Sequence, residues 1–286
     1  MPERLAPAVA ERPRRSGSGP RRIVATMGTV VGIDVRDPLV SDAAVDAAID
    51  WLADVDARFS PYRATSEVSR LGRGEIELDD ASPDVRFVLT RCEALRVETG
   101  GFFDVRGPGL RGGLDPSGYV KGWAVEEAAH ILEAAGARNY TINAGGDVIL
   151  RGRPAPDRAW IVGIRHPLEV DQVVARLAIE PGLGHWAVAT SGLYERGEHI
   201  VSPPTGRRPE GLLSMTVAGP SLALADAYAT AAFAMGGDGL AWLAARPDYA
   251  GYAIDCDLRP SWTLPFETLL AAARGESGEA GEGASG

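Results

Sequence analysis

The spacing of apolar and polar residues along the chain predicts both helices and strands. After Ser41, a residue suited to a helix N-cap, apolar residues recur at helical spacing: Val45, Ala48, Ile49, Leu52 and Val55. Similar apolar faces predict a second helix from Ser82-Pro83 to Gly100 and a third from near Lys121 to Gly136. A further helix is predicted from about Ser221 to Met235.

Runs of β-branched and apolar residues predict the strands. Residues 23–35 are predicted to form a first strand that contains Met27-Gly28-Thr29. The apolar stretch 140–150 is interrupted at Gly145-Gly146, and further strands are predicted over 160–164, 186–189 and 213–217. Because strands and helices do not alternate regularly, we predict an α+β fold, with a mixed β-sheet core and packed helices.

Composition divides the chain into one domain and two ends. Residues 1–21 are rich in Pro, Arg and Ser and predict a disordered basic arm. Residues 274–286 predict a disordered acidic Gly/Ser tail. Residues 22–273 contain no long linker and no internal repeat, so they are predicted to form a single domain.

Charge and composition exclude several classes of protein. The net charge of −10 argues against nucleic-acid binding, and an anionic ligand would need a local basic group or a metal ion. No apolar run fits a signal peptide or a membrane span, which predicts a cytoplasmic protein without stable membrane insertion. Cys92 and Cys256 are far apart, so neither a disulfide framework nor a structural metal site is expected.

Three polar residues are candidates for a charged site. Lys121 is the single lysine among 29 basic residues, and it is either a functional ammonium group or an ordinary surface residue. Asp226 and Thr230 are four residues apart and share one face of an apolar helix. A buried carboxylate must be paired or bind a cation, and these oxygens suit Mg²⁺. The alternative is an Asp226–arginine pair, with Thr230 bonded to its own helix.

Other motifs leave their role open when each is taken alone. The glycine pair Gly145-Gly146 indicates a bulge, a turn or a close approach, and it does not match the dinucleotide-binding fingerprint. His199 precedes a Pro/Gly turn and is a general base, a phosphate contact or a structural histidine. Tyr62 and Phe102-Phe103 offer either flat surfaces for a planar ligand or core packing.

Taken in order, the motifs resemble those of the ApbE family of flavin transferases, and the match extends from Met27 to Gly236. They are Met27-Gly28-Thr29, Ser60-Pro61-Tyr62, Gly101 to Val105, Leu114-Asp115 through Lys121-Gly122, Asn143 to Asp147, Thr190-Ser191-Gly192, His199-Ile200 and Ala225 to Thr230. The resemblance implies an ApbE-like fold and a Mg²⁺-dependent FAD:protein FMN transferase. Such an enzyme splits FAD, transfers FMN to a Ser or Thr hydroxyl of an acceptor protein, and releases AMP.

The resemblance also implies roles for individual residues. Flavin-nucleotide contacts are expected at Met27, Tyr62, Phe102, Phe103, Asp104, Asp115, Lys121 and Ile200. Metal ligands are expected at Asp226, Thr230 and the backbone carbonyl of Gly118. His199 matches a histidine implicated in the chemistry.

The chain departs from the family pattern at three places. Ser202 occupies a position at which the family often has an aspartate, so a carboxylate that could orient His199 is missing. Leu193 replaces another aspartate, and Asp115 to Gly118 differs from the usual Asp-Leu-Gly-Gly. Two alternatives therefore stay open, an FAD pyrophosphatase that yields FMN and AMP and a non-catalytic FAD-binding protein. The sequence leaves the acceptor's identity, a homodimer and the location undecided, since many members of the family act outside the cytoplasmic membrane.

Overall fold

A computed structural model describes most of the chain between residues 19 and 270. The described residues are 10–11, 19–106, 113–169, 171–179, 185–192, 202–204, 206 and 209–270. The predicted acidic tail lies outside them. Within the predicted basic arm, Ala10–Glu11 pair with the next strand, and residues 1–9 and 12–18 are not described.

Strands and helices follow one another without regular alternation. The strands are β1 Ala10–Glu11, β2 Arg21–Thr26, β3 Thr29–Val35, β4 Tyr140–Ala144, β5 Asp147–Arg151, β6 Trp160–Arg165, β7 Val173–Ile179, β8 Trp186–Gly192, β9 Leu212–Gly219, β10 Ala250–Asp255 and β11 Pro260–Trp262. The helices are α1 Asp42–Phe59, α2 Glu67–Gly72, α3 Pro83–Glu98, α4 Ser117–Ala134, α5 Leu222–Ala234 and α6 Gly239–Ala244, with short 3₁₀ turns at Leu78–Asp80 and Gly236–Asp238. Residues 264–270 are also helical.

Nine of these strands form one sheet in the order β1-β2-β3-β4-β5-β8-β9-β10-β11, while β6 and β7 pair separately. Every pairing among the described strands is antiparallel. The predicted α+β class is confirmed. Within the described part of the chain, no helix has the length and apolar character that a membrane crossing requires.

The large sheet carries a hydrophobic core on each face. Successive residues of a strand point to opposite faces, so Ile149 packs toward the helices while Val148 and Leu150 face away from them. Helices α1, α3, α4 and α5 contribute apolar residues to the first core. The β6–β7 hairpin and the helix at residues 264–270 cover the other face.

The predicted strand 23–35 is a hairpin, and so is the stretch 140–150 that Gly145-Gly146 interrupts. Residues 23–35 turn at Met27 and Gly28, with φ of +54° and +70°, so the prediction of one strand is wrong. Gly145 and Gly146 form a two-residue turn between β4 and β5, with φ of +66° and +111°. Two positive φ values suit the twist of such a hairpin, and glycine adopts them without strain. The two turns are neighbours, because Gly145 N–H donates to Val30 O.

The predicted helices are present, and one begins earlier than expected. Helix α4 begins at Ser117, and just before it the Asp115 side chain accepts a hydrogen bond from Ser117 N–H at 3.0 Å, as in an Asx turn. Lys121 therefore lies in the second turn of α4. Helix α5 begins as predicted, since Ser221 Oγ accepts from Leu224 N–H. Sequence patterns missed α2, α6, β7, β10, β11 and the helix at 264–270.

Candidate active site

A cleft of about 470 Å³ opens between the β2–β3 turn, the end of α1 and the start of α4. It brings together three predicted flavin contacts, Met27, Tyr62 and Lys121. Met27 has a positive φ, which is uncommon for a residue other than glycine and is often found at functional sites. Tyr62 is 61% exposed, so its ring is accessible to a planar ligand.

At the inner side of this cleft, Lys121 lies between two buried carboxylates. Its Nζ is 2.6 Å from Asp147 Oδ2 and 3.8 Å from Asp226 Oδ1. The Asp147 side chain is fully buried and that of Asp226 is 4% exposed, whereas the Lys121 side chain retains 13% exposure. Lys121 is thus a cation close to Asp226.

Asp147 is a member of this cluster that sequence reasoning missed. It is the first residue of β5, directly after the Gly145-Gly146 turn, and it is on the same face as Ile149, toward the helices. Its other oxygen, Oδ1, accepts a hydrogen bond from Thr190 N–H at 3.0 Å. The available sequence signal for Asp147 was a charged residue at a strand position that faces the apolar core. Its partner Lys121 is 26 residues away in the sequence, so spacing does not connect the two.

Two of the predicted metal ligands, Gly118 and Thr230, also meet where α4 approaches α5. A Cβ at Gly118 would lie 3.3 Å from Thr230 Oγ1, so Gly118 directly adjoins the Thr230 hydroxyl. Ser191 Oγ, from β8, is 3.2 Å from the same hydroxyl. The described residues contain no group of three His, Cys, Asp or Glu side chains suited to a metal. The Asp226 carboxylate and the Thr230 and Ser191 hydroxyls are nevertheless oxygen groups of the kind that Mg²⁺ prefers.

Four further predicted flavin contacts, Phe102, Phe103, Asp104 and Asp115, precede α4 in the chain. Phe103 is buried, and its ring lies against Gly118, while Phe102 is half-buried. Asp104 accepts a hydrogen bond from Arg106 N–H at 2.8 Å, and Asp115 accepts one from Ser117 N–H. These residues shape the loop beside the candidate metal site, and ring stacking by Phe103 would require it to leave the core.

Two predicted site residues, His199 and Ile200, lie outside the described residues, as does Leu193. Ser202 is described and is 3% exposed. Tyr119, next to Gly118, is a phenol close to the site. Burial raises its pKa above the ordinary value of 10, so the group stays protonated at neutral pH and is a poor general base there.

A family model decides the relationship of this chain to known proteins. The model of the ApbE family matches residues 27–111 and 105–253. The chain belongs to the ApbE family. The matched range includes the cleft, the Lys121 cluster and both helices that carry the predicted metal ligands.

Individual ApbE relatives cover different shares of the chain. One from Vibrio cholerae serotype O1, named FAD:protein FMN transferase, is 30% identical over 272 residues, which is 74% of this chain and 80% of the relative. One of the same name from Rhodobacter capsulatus is 40% identical over 126 residues, which is 41% of this chain and 23% of the relative.

Solved structures of ApbE proteins share the fold. The flavin transferase ApbE from Vibrio cholerae has a TM-score of 0.75 and 22% identity, covering 93% of this chain and 100% of its own. The ApbE protein from Thermotoga maritima has a TM-score of 0.74 and 22% identity, and the match covers 87% of this chain and 98% of the Thermotoga chain. The predicted ApbE-like fold is thus confirmed.

Proposed function

We propose that this protein is an FAD:protein FMN transferase that needs Mg²⁺ and modifies a Ser or Thr hydroxyl of an acceptor protein. Relatives named FAD:protein FMN transferase support the transfer of FMN from FAD to a protein. The observation that carries it is the position of Lys121, which lines a nucleotide-sized cleft and contacts two buried carboxylates beside Thr230 and Gly118.

Charge neutralisation is the main task of such a site. FAD carries an anionic pyrophosphate, and a chain of net charge −10 offers little general attraction for it. Lys121 would donate hydrogen bonds to this group from the cleft wall. Asp226, the Thr230 hydroxyl and the Gly118 carbonyl would hold Mg²⁺, which when bound neutralises phosphate charge and polarises the phosphorus centre.

The remaining residues would orient the flavin and move a proton. Tyr62 would support the flavin ring, and the backbone at Met27 would border it. His199 would accept the proton of the acceptor hydroxyl as its oxygen attacks the FMN phosphorus. The new P–O bond forms as the bond to AMP breaks, and AMP leaves with that bond's electron pair. With Ser202 in place of an aspartate, His199 is oriented without that carboxylate.

The proposal is tested by incubating the protein with FAD, MgCl₂ and a candidate acceptor domain. We expect a flavin-fluorescent acceptor band on a denaturing gel and equimolar AMP by chromatography. FMN and AMP without a labelled acceptor would identify a pyrophosphatase instead. Tight FAD binding with no products would identify a binding protein.

The assignment of Asp226 as a metal ligand is tested by a substitution. Asp226→Ala should lower transfer by roughly 100-fold or more, because a buried ligand of the charge-neutralising ion is lost. Asp50→Ala removes an exposed carboxylate from α1 and is the matched control, with activity expected to stay at the wild-type level. Wild-type activity in Asp226→Ala would disprove the assignment of Asp226 as a metal ligand.

A further inference from the structure

The two carboxylates beside Lys121 are not equivalent. Lys121 Nζ makes a close ion pair with Asp147 Oδ2 at 2.6 Å, and it lies 3.8 Å from Asp226 Oδ1. Lysine is a compact point charge on a flexible stem, so a small movement of the side chain would exchange one partner for the other. An ammonium group paired closely with Asp226 would compete with a metal ion for the same carboxylate.

The Asp147 side chain is held in place by its surroundings. It begins β5 immediately after a two-residue turn, its side chain is fully buried, and Thr190 N–H fixes one of its oxygens. The second oxygen therefore faces Lys121 from a constant position. A buried carboxylate held in this way attracts a nearby ammonium strongly, because the surroundings screen the charges weakly.

We infer that Asp147 is a positioning residue, which holds the Lys121 ammonium away from Asp226 and thereby keeps Asp226 available to Mg²⁺. The inference rests on the proposed function, to which it adds a division of labour between the two carboxylates. Asp147 retains the lysine at the cleft wall, and Asp226 retains the metal.

Loss of the Asp147 charge would remove the closer of the two carboxylates and would release Lys121 toward Asp226.

Asp147→Asn tests the inference with little change of shape, since the amide oxygen can still accept from Thr190 N–H. Mg²⁺ affinity, measured by calorimetric titration of MgCl₂ into the full chain, should fall about 10- to 100-fold, as is typical when a group supporting metal ligands is lost. Lys121→Met should leave Mg²⁺ affinity unchanged or higher, because the competing cation is gone. A loss of Mg²⁺ affinity on changing one partner of the ion pair, without a loss on changing the other, is not expected of a merely structural contact.

The double variant shows whether Asp147 acts by positioning Lys121 or only by supporting the fold. Asp147→Asn with Lys121→Met should recover Mg²⁺ affinity to within a few-fold of the wild type, because the competing ammonium is absent. A double variant as weak as Asp147→Asn alone would overturn the inference, as would wild-type Mg²⁺ affinity in Asp147→Asn. Asp37→Asn is the control, because Asp37 also accepts backbone hydrogen bonds but lies by Asn139, at the far end of β4.

The same titrations separate this inference from the proposed function. If the wild type binds Mg²⁺ and flavinylates an acceptor while Asp147→Asn binds Mg²⁺ equally well, only the role of Asp147 is lost. If the wild type itself binds no Mg²⁺, with or without FAD, the metal site fails and the role of Asp147 fails with it.

Discussion

Lys121 makes a contact that an arginine could not reproduce. Its ammonium group fits within 3.8 Å of two buried carboxylate oxygens that belong to different elements, β5 and α5. A guanidinium group is larger and planar, so it would need a different spacing of the two acids. The single lysine of the chain therefore stands where a compact cation is needed. Its side chain also lines the cleft.

Lys121→Ala should weaken FAD binding more than it slows the chemical step. Loss of a charge-assisted hydrogen bond costs about 1.5–3 kcal/mol, so the Kd for FAD should rise about 10- to 100-fold. The Kd is measured by flavin fluorescence and the chemical step by single-turnover transfer at saturating FAD. Lys121→Arg keeps the charge and should fall between the alanine variant and the wild type. A large loss of turnover at unchanged FAD affinity would contradict this assignment.

Residue spacing in the sequence revealed part of the site. Asp226 and Thr230 are predictable because they lie one helical turn apart, on a helix whose pattern is unambiguous. Asp147 is not predictable from spacing, because its contact with Lys121 joins an α-helix to a β-strand. The packing of the sheet against α4 creates that contact, and no local pattern encodes it.

At the scale of elements, one glycine sets the distance between the helices that carry the site. A Cβ at Gly122 would lie 2.5 Å from the Leu222 carbonyl oxygen, so the backbones of α4 and α5 touch there. Gly118 and Lys121 lie on α4, and Asp226 and Thr230 lie on α5. The close approach therefore places all four within one cluster.

Gly122→Ala should move the two helices apart. We expect a loss of about 1–3 kcal/mol in the free energy of unfolding, because a methyl group is forced into a tight contact. Mg²⁺ affinity should fall as well, since ligands on separate helices no longer converge. Chemical denaturation and calorimetry give the two values. Gly32→Ala, on β3 with no heavy atom within 4 Å, is the matched control, and an equal loss there would refute the explanation.

The prediction of helices and strands succeeded where the apolar pattern was long and failed where it was short. Helices α1, α3 and α5 carry apolar faces over 13 or more residues, and all three were predicted. The β2–β3 hairpin was missed because apolar residues continue through its two-residue turn. Strands such as β11 contain three residues, which is too few for a periodic signal.

At the scale of the molecule, the sheet separates two apolar layers, and the candidate site belongs to the helical one. The Lys121 cluster lies where β5 and β8 meet α4 and α5, so opening the helical layer would separate its members. Cys92 lies in this layer, on α3, and is 1% exposed. Burial raises the pKa of its thiol to about 12, whereas Cys256 is exposed and follows β10.

Cys92 should therefore report on opening of the helical layer. At pH 8 a thiol reagent should modify Cys256 quickly and Cys92 slowly, because Cys92 is buried and remains almost fully protonated. Use of Cys256→Ser isolates the slow reaction, which mass spectrometry can follow. If Cys92 reacts only after the layer opens, FAD with Mg²⁺ at 100 times its Kd should slow the reaction about 100-fold, since ligand binds the closed state. If the ligand does not change the rate at which Cys92 is labelled, then α3 opens alone, without disturbing the site.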